Sequence, residues 1–503
     1  MRPPPEEPLP PRTGGRLPEM DLSYLTGQEM PQSFMAQAQA LPPSWDWRTT
    51  EMVSSVKDQG NCSACYAFAA IGNIESKMLM DGAGSYDFSE NNAKECNWRE
   101  LNSYVDTWGN PWGSCAGGDY RMLASLFSQK GLVLESCDPY VDSDVSCTGT
   151  CTHQKTLLDW RLICGDVIPD TDVLKSYIQT YGPVEASMYT DWFEGFNNFY
   201  DGTYTFDYWK SPGVGKNHDV LIVGWSNDLP PVPDGTTPAD GWIAKNSWGD
   251  DWGDDGYFYI TYGSANIGMY SSFMYDWQDY DNSGSIMYYD EDGWSTGLGY
   301  GDTTGWGLVK FFPPSDTNVT RVEFWTTDKT TDVDVYIYDD FDGTAPSNKL
   351  WESLNHSFNE AGYHGVTVSP PLAVDAGDDV IAVVKFTNQS GEHPIPLDDN
   401  GHHETGRTYS SSDGSTWLDE GEFGDDVAIR LRTSDTAAPN NPPQLSSASV
   451  EPPSGTPSTD FYYYVNYYDA DGDSPSVKKV YIDGTACTMG LQSGSASDGV
   501  YSY

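Results

Sequence analysis

An α+β domain followed by all-β domains is the architecture that this sequence predicts, on three observations. From Ala64 to Met80, the residues Phe68, Ile71, Ile74 and Met78 recur at helical spacing, with Gly82 and Gly84 as stop signals. His218 leads directly into Val220-Leu221-Ile222-Val223, an apolar, β-branched run that reads as a strand. From about residue 284 the texture changes to short alternating strands separated by Asp, Gly, Asn and Ser clusters. Residues 41–277 therefore divide into a helical half around Cys65 and a β-rich half around His218, with a cleft between them, and residues 284–434 form a β-sandwich.

The helix start is the most informative stretch. Gln59-Gly60-Asn61-Cys62-Ser63-Ala64-Cys65-Tyr66-Ala67-Phe68 puts a thiol in the first helical turn, six residues after an amide side chain. Only thiolate is a useful nucleophile, and the N–H groups and positive dipole end of a helix lower a thiol pKa. A thiolate also needs a base and a group to orient that base. Only His153 and His218 precede residue 300, and His153 lies in a polar loop where solvent exposure is the expected state. Downstream of His218, Asn246-Ser247-Trp248-Gly249 supplies an amide, so the chain order is Cys, His, Asn. Cys65 alone would read as a buried thiol or half a disulfide, and Asn246 alone as a turn residue; their joint placement reverses both readings.

These blocks resemble the papain-like (cathepsin-type) cysteine proteases. So do Trp45-Asp46-Trp47-Arg48, Cys115-Ala116-Gly117-Gly118, Asp138-Pro139-Tyr140 and Gly182-Pro183-Val184, in the same order along residues 41–275. The resemblance implies that Cys65 attacks the scissile carbonyl, that His218 exchanges the proton and that Asn246 orients the imidazole. It further implies Gln59 as side-chain donor of the oxyanion hole, worth about 3 kcal/mol of transition-state stabilisation. Trp248 would cover the His218–Asn246 pair. Gly117 and Gly118 would form a cleft wall that an extended substrate approaches closely, and Asn217, beside the histidine, is a further candidate for substrate contact. Catalysis of this kind needs no cofactor. Tyr66, Ser63, Ala116 and Asp219 depart from the family pattern, where Trp, Gly, Asn and a small apolar residue are usual. The long loop from Asn227 to Gly235 is Pro-rich and predicts a hairpin-like excursion near the cleft.

There are 9 cysteines, which point to an oxidising compartment. By the resemblance Cys62 pairs with Cys115 and Cys96 with Cys147; the pairing of Cys137, Cys151, Cys164 and Cys487 is left open. Residues 1–40 are Pro-rich, then weakly helical around Met30 to Ala40, and read as a pro-segment or linker removed on maturation. They show no apolar signal-peptide core, and no apolar run long enough for a membrane span occurs. An extracellular or cell-surface location is the expectation.

The sandwich region, above all Gly406 to Trp417, resembles the lectin-like domain attached to some prokaryotic papain-like proteases. Within it, Val333-Asp334-Val335-Tyr336-Ile337-Tyr338 and Val427-Ala428-Ile429-Arg430-Leu431-Arg432 alternate, the latter with both arginines outward. Trp306, Trp325 and Trp417 are candidates for stacking on a glycan. After a linker at 435–446, residues 447–503 resemble a partial Ig-like module. Its Asp469, Asp471 and Asp473 offer alternating oxygen ligands for a calcium ion, without the glycine and glutamate positions of an EF-hand.

With 75 acidic against 26 basic residues, the formal charge is −49, which excludes nucleic acid as a partner. Acid spread along the whole chain fits a high-salt setting in an archaeon or a salt-tolerant bacterium. The sequence thus predicts a secreted cysteine endopeptidase acting on protein or peptide substrates, with accessory modules for a glycan or cell surface. The competing class is a non-catalytic adhesin on a degenerate protease scaffold.

Overall fold

The structure, a computed structural model, describes residues 22, 25, 41–99, 113–190, 196, 200–208, 215–233, 235–435, 443–456, 458–469, 475, 478–482 and 485–503. Helix α1 (Cys65–Met80) buries Phe68, Ile71, Ile74 and Met78, the positions its spacing singles out. It ends where Gly82, at φ 74°, adopts the left-handed backbone that Gly tolerates without a Cβ penalty. Ser89 caps α2 (Glu90–Glu95), and Asp119 caps α3 (Tyr120–Gln129) by accepting from Met122 N. Helix α4 (Thr171–Tyr181) starts on Asp170 in the same way. Disulfides join Cys62 to Cys115, Cys96 to Cys147 and Cys137 to Cys151. The first two close loops of 53 and 51 residues, the first of which begins just before α1, each contributing about 4 kcal/mol in the chain-entropy account. Cys164 is buried outside any disulfide, its Sγ donating to Gly268 O, and Cys487 is likewise outside one.

The strands of the second half are β1 (Ser44–Asp46), β2 (Leu132–Val133), β3 (His153–Leu162), β4 (Val184–Met188), β5 (His218–Leu229), β6 (Ala239–Lys245), β7 (Tyr257–Thr261) and β8 (Met269–Asp279). In the sandwich, β9 (Gly284–Met287), β10 (Thr296–Leu298), β11 (Thr304–Phe311), β12 (Thr317–Thr326), β13 (Thr331–Phe341) and β14 (Pro346–Phe358) come first. They are followed by β15 (Ala361–Val374), β16 (Val380–Asn388), β17 (Ile395–Asp398), β18 (Thr408–Ser411), β19 (Leu418–Asp419), β20 (Asp426–Val427) and β21 (Ile429–Ser434). One 12-stranded sheet runs β7-β6-β5-β4-β8-β3-β15-β12-β21-β9, with β1 on β5 and β2 on β3. It crosses from the first region into the second where β3 pairs with β15, Leu162 opposite Ala361. A six-stranded sheet, β14-β13-β16-β11-β18-β19, packs over its far end. The sandwich core between them holds Val333, Val335 and Ile337 from β13 against Val322, Phe324 and Leu431. The C-terminal residues form a separate four-stranded sheet and a two-stranded one.

Three expectations change. Arg430 and Arg432 point away from the sandwich core but do not reach solvent, because α3 covers that face of the sheet. Arg430 is fully buried on Asp290 at 2.8 Å and donates to Ser125 and Ser128. Arg432 pairs with Glu323 at 2.7 Å and donates to Ser128 O. Trp325 is fully buried at the same seam, packed on Trp160, and offers no face to a sugar. His153 opens β3 and stacks on Tyr280, ring centroids 4.9 Å apart, so it is half-buried and not a solvated loop histidine. The Pro-rich excursion extends β5 to Leu229 and is held by Thr205, which donates to Pro230 O and Pro231 O. Of residues 1–40 only Leu22 and Leu25 are described; both are buried, and Gly165 N donates to Leu25 O. The expected helix near Met30 to Ala40 lies outside the described residues.

Glu185 of β4 is fully buried, accepting from the Ser272 hydroxyl and Trp160 Nε1. Burial pushes its carboxyl up to about 8, against those two hydrogen bonds. The folded chain therefore keeps this proton to higher pH than the unfolded chain does. The contribution is complete below the ordinary carboxyl range and is lost as pH rises toward 8. In Glu185→Gln that component vanishes. Guanidinium unfolding should show stability falling between about pH 5 and 8 by a few kcal/mol less than in the parent protein; parallel pH dependences would contradict the assignment.

Candidate active site

Cys65 is the first residue of α1 and is buried. Ala64 precedes it and makes no side-chain cap, so Cys65 sits at the positive end of the helix dipole, which favours a thiolate. His218 is the first residue of β5, paired with Met188, and Asn246 follows the last residue of β6. Because β5 and β6 are neighbours, strand pairing alone brings the imidazole and the amide together. His218 Nε2 lies 2.8 Å from Asn246 Oδ1, and Ser247 N donates to the same oxygen at 2.9 Å. Two contacts at one carboxamide oxygen determine both orientations. The oxygen can only accept, so Nε2 carries the hydrogen and Nδ1 is left as the basic nitrogen.

His218 Nδ1 is buried and makes no hydrogen bond among the described residues. Burial lowers the imidazole to about 4, opposed by the Asn246 bond and the Asp219 charge, so the ring is neutral near neutral pH. Trp248 stacks on His218 at 4.8 Å and 27°, and is itself packed against Trp252 and Phe196. Water is thereby kept from the Nε2–Oδ1 bond.

Gln59 is fully buried. Its Nε2 donates to Cys62 O at 2.8 Å and its Oε1 accepts from Ser247 Oγ at 2.6 Å. The backbones are zipped too, with Gln59 N on Ser247 O and Gly249 N on Lys57 O. Lys57 in turn reaches Glu90 at 2.8 Å and Glu75 of α1 at 3.3 Å, which anchors the Gln59 segment to the helix that carries Cys65. Opposite, Gly117 has φ 107°, and a Cβ on Gly118 would lie 2.5 Å from the Tyr66 ring, so neither position accommodates a side chain. Asn217 is committed elsewhere: its amide bonds Thr190 N and Thr190 O at 2.7 and 2.9 Å. Asp219 is buried and accepts from Ser187 Oγ at 2.7 Å.

Sequence reasoning missed three groups. Ser247 lies inside the Asn246 block, and nothing in that block signals that its hydroxyl bridges to Gln59. Tyr66, noted only as a departure, donates to Ser114 O and accepts from Arg99, which also donates to Gly117 O at 2.8 Å. Burial pushes the Tyr66 hydroxyl up to about 12, so it stays protonated. Arg99 carries no local signal at all. Of the candidate calcium ligands, Asp469 is buried and accepts from the Tyr467 hydroxyl, while Asp471 and Asp473 lie outside the described residues. Among the described residues no group of His, Cys, Asp or Glu could hold a metal ion, and no helix is long and apolar enough to cross a membrane.

Residues 41–277 match the papain family cysteine protease, and residues 286–431 match the lectin like domain. A viral cathepsin of Heliothis zea nuclear polyhedrosis virus is 30% identical over 237 residues, 46% of this chain and 56% of that protein. A cathepsin L-like proteinase of Fasciola hepatica is 31% identical over 239 residues, 46% of this chain and 64% of that protein. This chain thus spans between half and two thirds of the length of these curated relatives. Among solved structures, the clostridial cysteine protease Cwp84 after propeptide cleavage has a TM-score of 0.64 at 17% identity, covering 78% of this chain and 99% of that one. The cysteine protease and lectin-like domains of Cwp84, a surface layer associated protein of Clostridium difficile, give 0.63 at 17% identity over 79% of this chain and 90% of that one. At that identity the likeness is one of fold, and it spans both regions. Residues 41–277 are a papain-family cysteine protease domain, joined to a lectin-like domain at residues 286–431.

Proposed function

We propose that this chain is an extracellular or cell-surface cysteine endopeptidase that hydrolyses peptide bonds through a thioester acyl-enzyme. The observation that supports this best is the His218 Nε2 to Asn246 Oδ1 bond under Trp248, which leaves Nδ1 as the basic nitrogen. Nδ1 takes the Cys65 thiol proton, and the thiolate attacks the scissile carbonyl carbon. The C–N bond breaks as Nδ1–H protonates the leaving amine. A water, deprotonated by the same nitrogen, then attacks the thioester and releases the acid and the thiol. The oxyanion is met by Gln59 Nε2 and the Cys65 backbone N–H. Gly117 and Gly118 line the substrate backbone.

The lectin-like domain, in this reading, attaches the enzyme to a neutral or amino-sugar glycan. Support comes from the outer face of the six-stranded sheet, where Leu308, Ile381, Val383 and Phe341 are buried beneath half-buried Trp306, Tyr336, Tyr338, Tyr409 and Trp417. Trp306 and Tyr336 are nearly parallel, 6.0 Å apart, and Lys385 Nζ sits 5.6 Å from the Trp306 ring. Aromatic faces stack on the C–H faces of sugars, and a chain of charge −49 repels acidic polysaccharides. The same reading makes residues 1–40 a pro-segment and places the protein in high salt, in an archaeon or a salt-tolerant bacterium. It also gives Asp469, Asp471 and Asp473 a structural calcium outside the chemistry.

Two outcomes test the reading. Cys65→Ala and His218→Ala should each cut kcat/KM for a peptide by several orders of magnitude, about 6–8 kcal/mol for the nucleophile, while His153→Ala stays near the parent value. Undiminished hydrolysis by Cys65→Ala would remove the assignment, and a parent chain inert toward a peptide library would favour the adhesin alternative. For the second outcome, retention on immobilised neutral and amino-sugar polysaccharides should weaken about five-fold in Trp306→Ala, with peptide hydrolysis unchanged. Equal retention of the variant would clear that sheet face of the role.

A further inference from the structure

Gly117 and Gly118 are joined to a helix that makes polar contacts with the lectin-like domain. The Gly117–Gly118 stretch runs directly into Asp119, the N-cap of α3, which accepts from Met122 N at 2.8 Å. A Cβ on Gly118 would lie 2.5 Å from the Tyr66 ring and 2.8 Å from the end of the Met122 side chain, so Gly118 packs between α1 and the first turn of α3. That turn also carries Arg121, nearly buried. Its guanidinium reaches Asp119 at 3.5 Å and, across the domain boundary, Asp292 Oδ2 at 3.3 Å and Asp292 O at 3.4 Å. Asp292 is fully buried and is held by Asn400 Nδ2 at 2.9 Å, while its backbone N–H donates to Asp398 at 2.9 Å.

The rest of α3 is gripped by the same segment. Gln129 Nε2 donates to Asp290 O and Glu291 O at 2.9 and 3.0 Å, Ser125 Oγ donates to Glu291 O, and Arg430 binds Ser125 and Ser128. A helix tied along its length to residues 290–292 takes its position from the second domain. We propose that Asp292 of the lectin-like domain is a positioning residue for the protease: acting through Arg121 and Asp119, it sets the Gly117–Gly118 wall against which substrate binds. The proposal rests on the endopeptidase reading above. It makes the appended domain part of the substrate cleft and not a separable tether.

The physical reason is that Arg121 is a buried cation with two carboxylate partners. Removing the charge of Asp292 leaves Arg121 with the Asp119 carboxylate at 3.5 Å and the Asp292 carbonyl at 3.4 Å, and the guanidinium must then re-aim or draw in water. A misplacement of about 1 Å in the reacting geometry costs on the order of a hundred-fold in rate; a shift of a wall outside the reacting atoms is expected to act on substrate binding instead, by about an order of magnitude. The chain of contacts meets α1 at the Tyr66 ring, beside Cys65, and includes neither the thiol nor the imidazole itself.

The test uses the full chain, with kcat and KM for a fluorogenic peptide, the rate of Cys65 alkylation by iodoacetamide, and thermal unfolding. Asp292→Asn should raise KM about ten-fold while kcat and the iodoacetamide rate stay within about two-fold of the parent, because the small reagent does not use the wall. Asp292→Glu should recover part of the loss. The control is Glu360→Gln, which breaks an equally buried contact elsewhere on the domain boundary, to Arg161 at 3.3 Å and the Tyr177 hydroxyl at 2.7 Å. It should lower the melting temperature and leave KM unchanged. An unchanged KM in folded Asp292→Asn, or an equal rise in Glu360→Gln, overturns the proposal. If Asp292→Asn does not fold, Arg121→Lys is read by the same criterion, since it keeps the charge but loses the two-pronged geometry. A parent chain that hydrolyses no peptide overturns the endopeptidase reading itself, an outcome distinct from a loss confined to Asp292→Asn.

Discussion

Ser247 is the residue on which the two halves of the site depend. Its backbone N–H donates to Asn246 Oδ1, its hydroxyl to Gln59 Oε1, and its carbonyl accepts from Gln59 N. One residue thus orients the amide that holds the imidazole and the amide of Gln59, which is anchored on Cys62 O just before α1. The contacts are short, buried and directional, and each occupies an atom that would otherwise be a buried polar group without a partner. The lobes cannot slide past each other at this point without breaking several hydrogen bonds at once. The acidic and basic side chains beneath, Lys57 with Glu75 and Glu90, fasten the same segment to α1.

The distribution of cations is a second organising feature. A chain with 26 basic residues against 75 acidic ones might be expected to spread its arginines over the surface to offset repulsion. Instead Arg99, Arg121, Arg430 and Arg432 are buried, three of the four at the boundary between the two domains. Guanidinium suits this use because its planar fork satisfies several acceptors at once. Removing a partner from such a site leaves a buried charge, so these pairs specify one relative placement of the domains more than they add stability. The strand pairing of β3 with β15 acts in the same direction, since a continuous sheet tolerates little relative rotation. The surface meanwhile keeps its acid.

What could be read from sequence was whatever local chemistry and spacing encode. The period of Phe68, Ile71, Ile74 and Met78 specifies a helix and its buried face, and Gly82 its end. The order of Cys65, His218 and Asn246 within their blocks identifies the family, and alternation in β13 identifies the sandwich. Alternation also says that Arg430 and Arg432 share a face of their strand, but not what covers that face. For the same reason Trp325 looked available to a ligand and proved to be interior.

The tertiary structure alone decided the rest, because those contacts join residues with no periodic or neighbouring signal to relate them. Arg99 meets Tyr66 and Gly117, Ser247 meets Gln59 across 188 positions, and Arg430 meets Ser125 across 305. The sequence by itself determined the elements, the reactive residue types and the family they resemble, since each follows from chemistry repeated within a few residues. Which buried charges pair, and hence how the second domain meets the helix beside the cleft, depended on the packing of whole elements against one another, and that is settled only when the chain is folded.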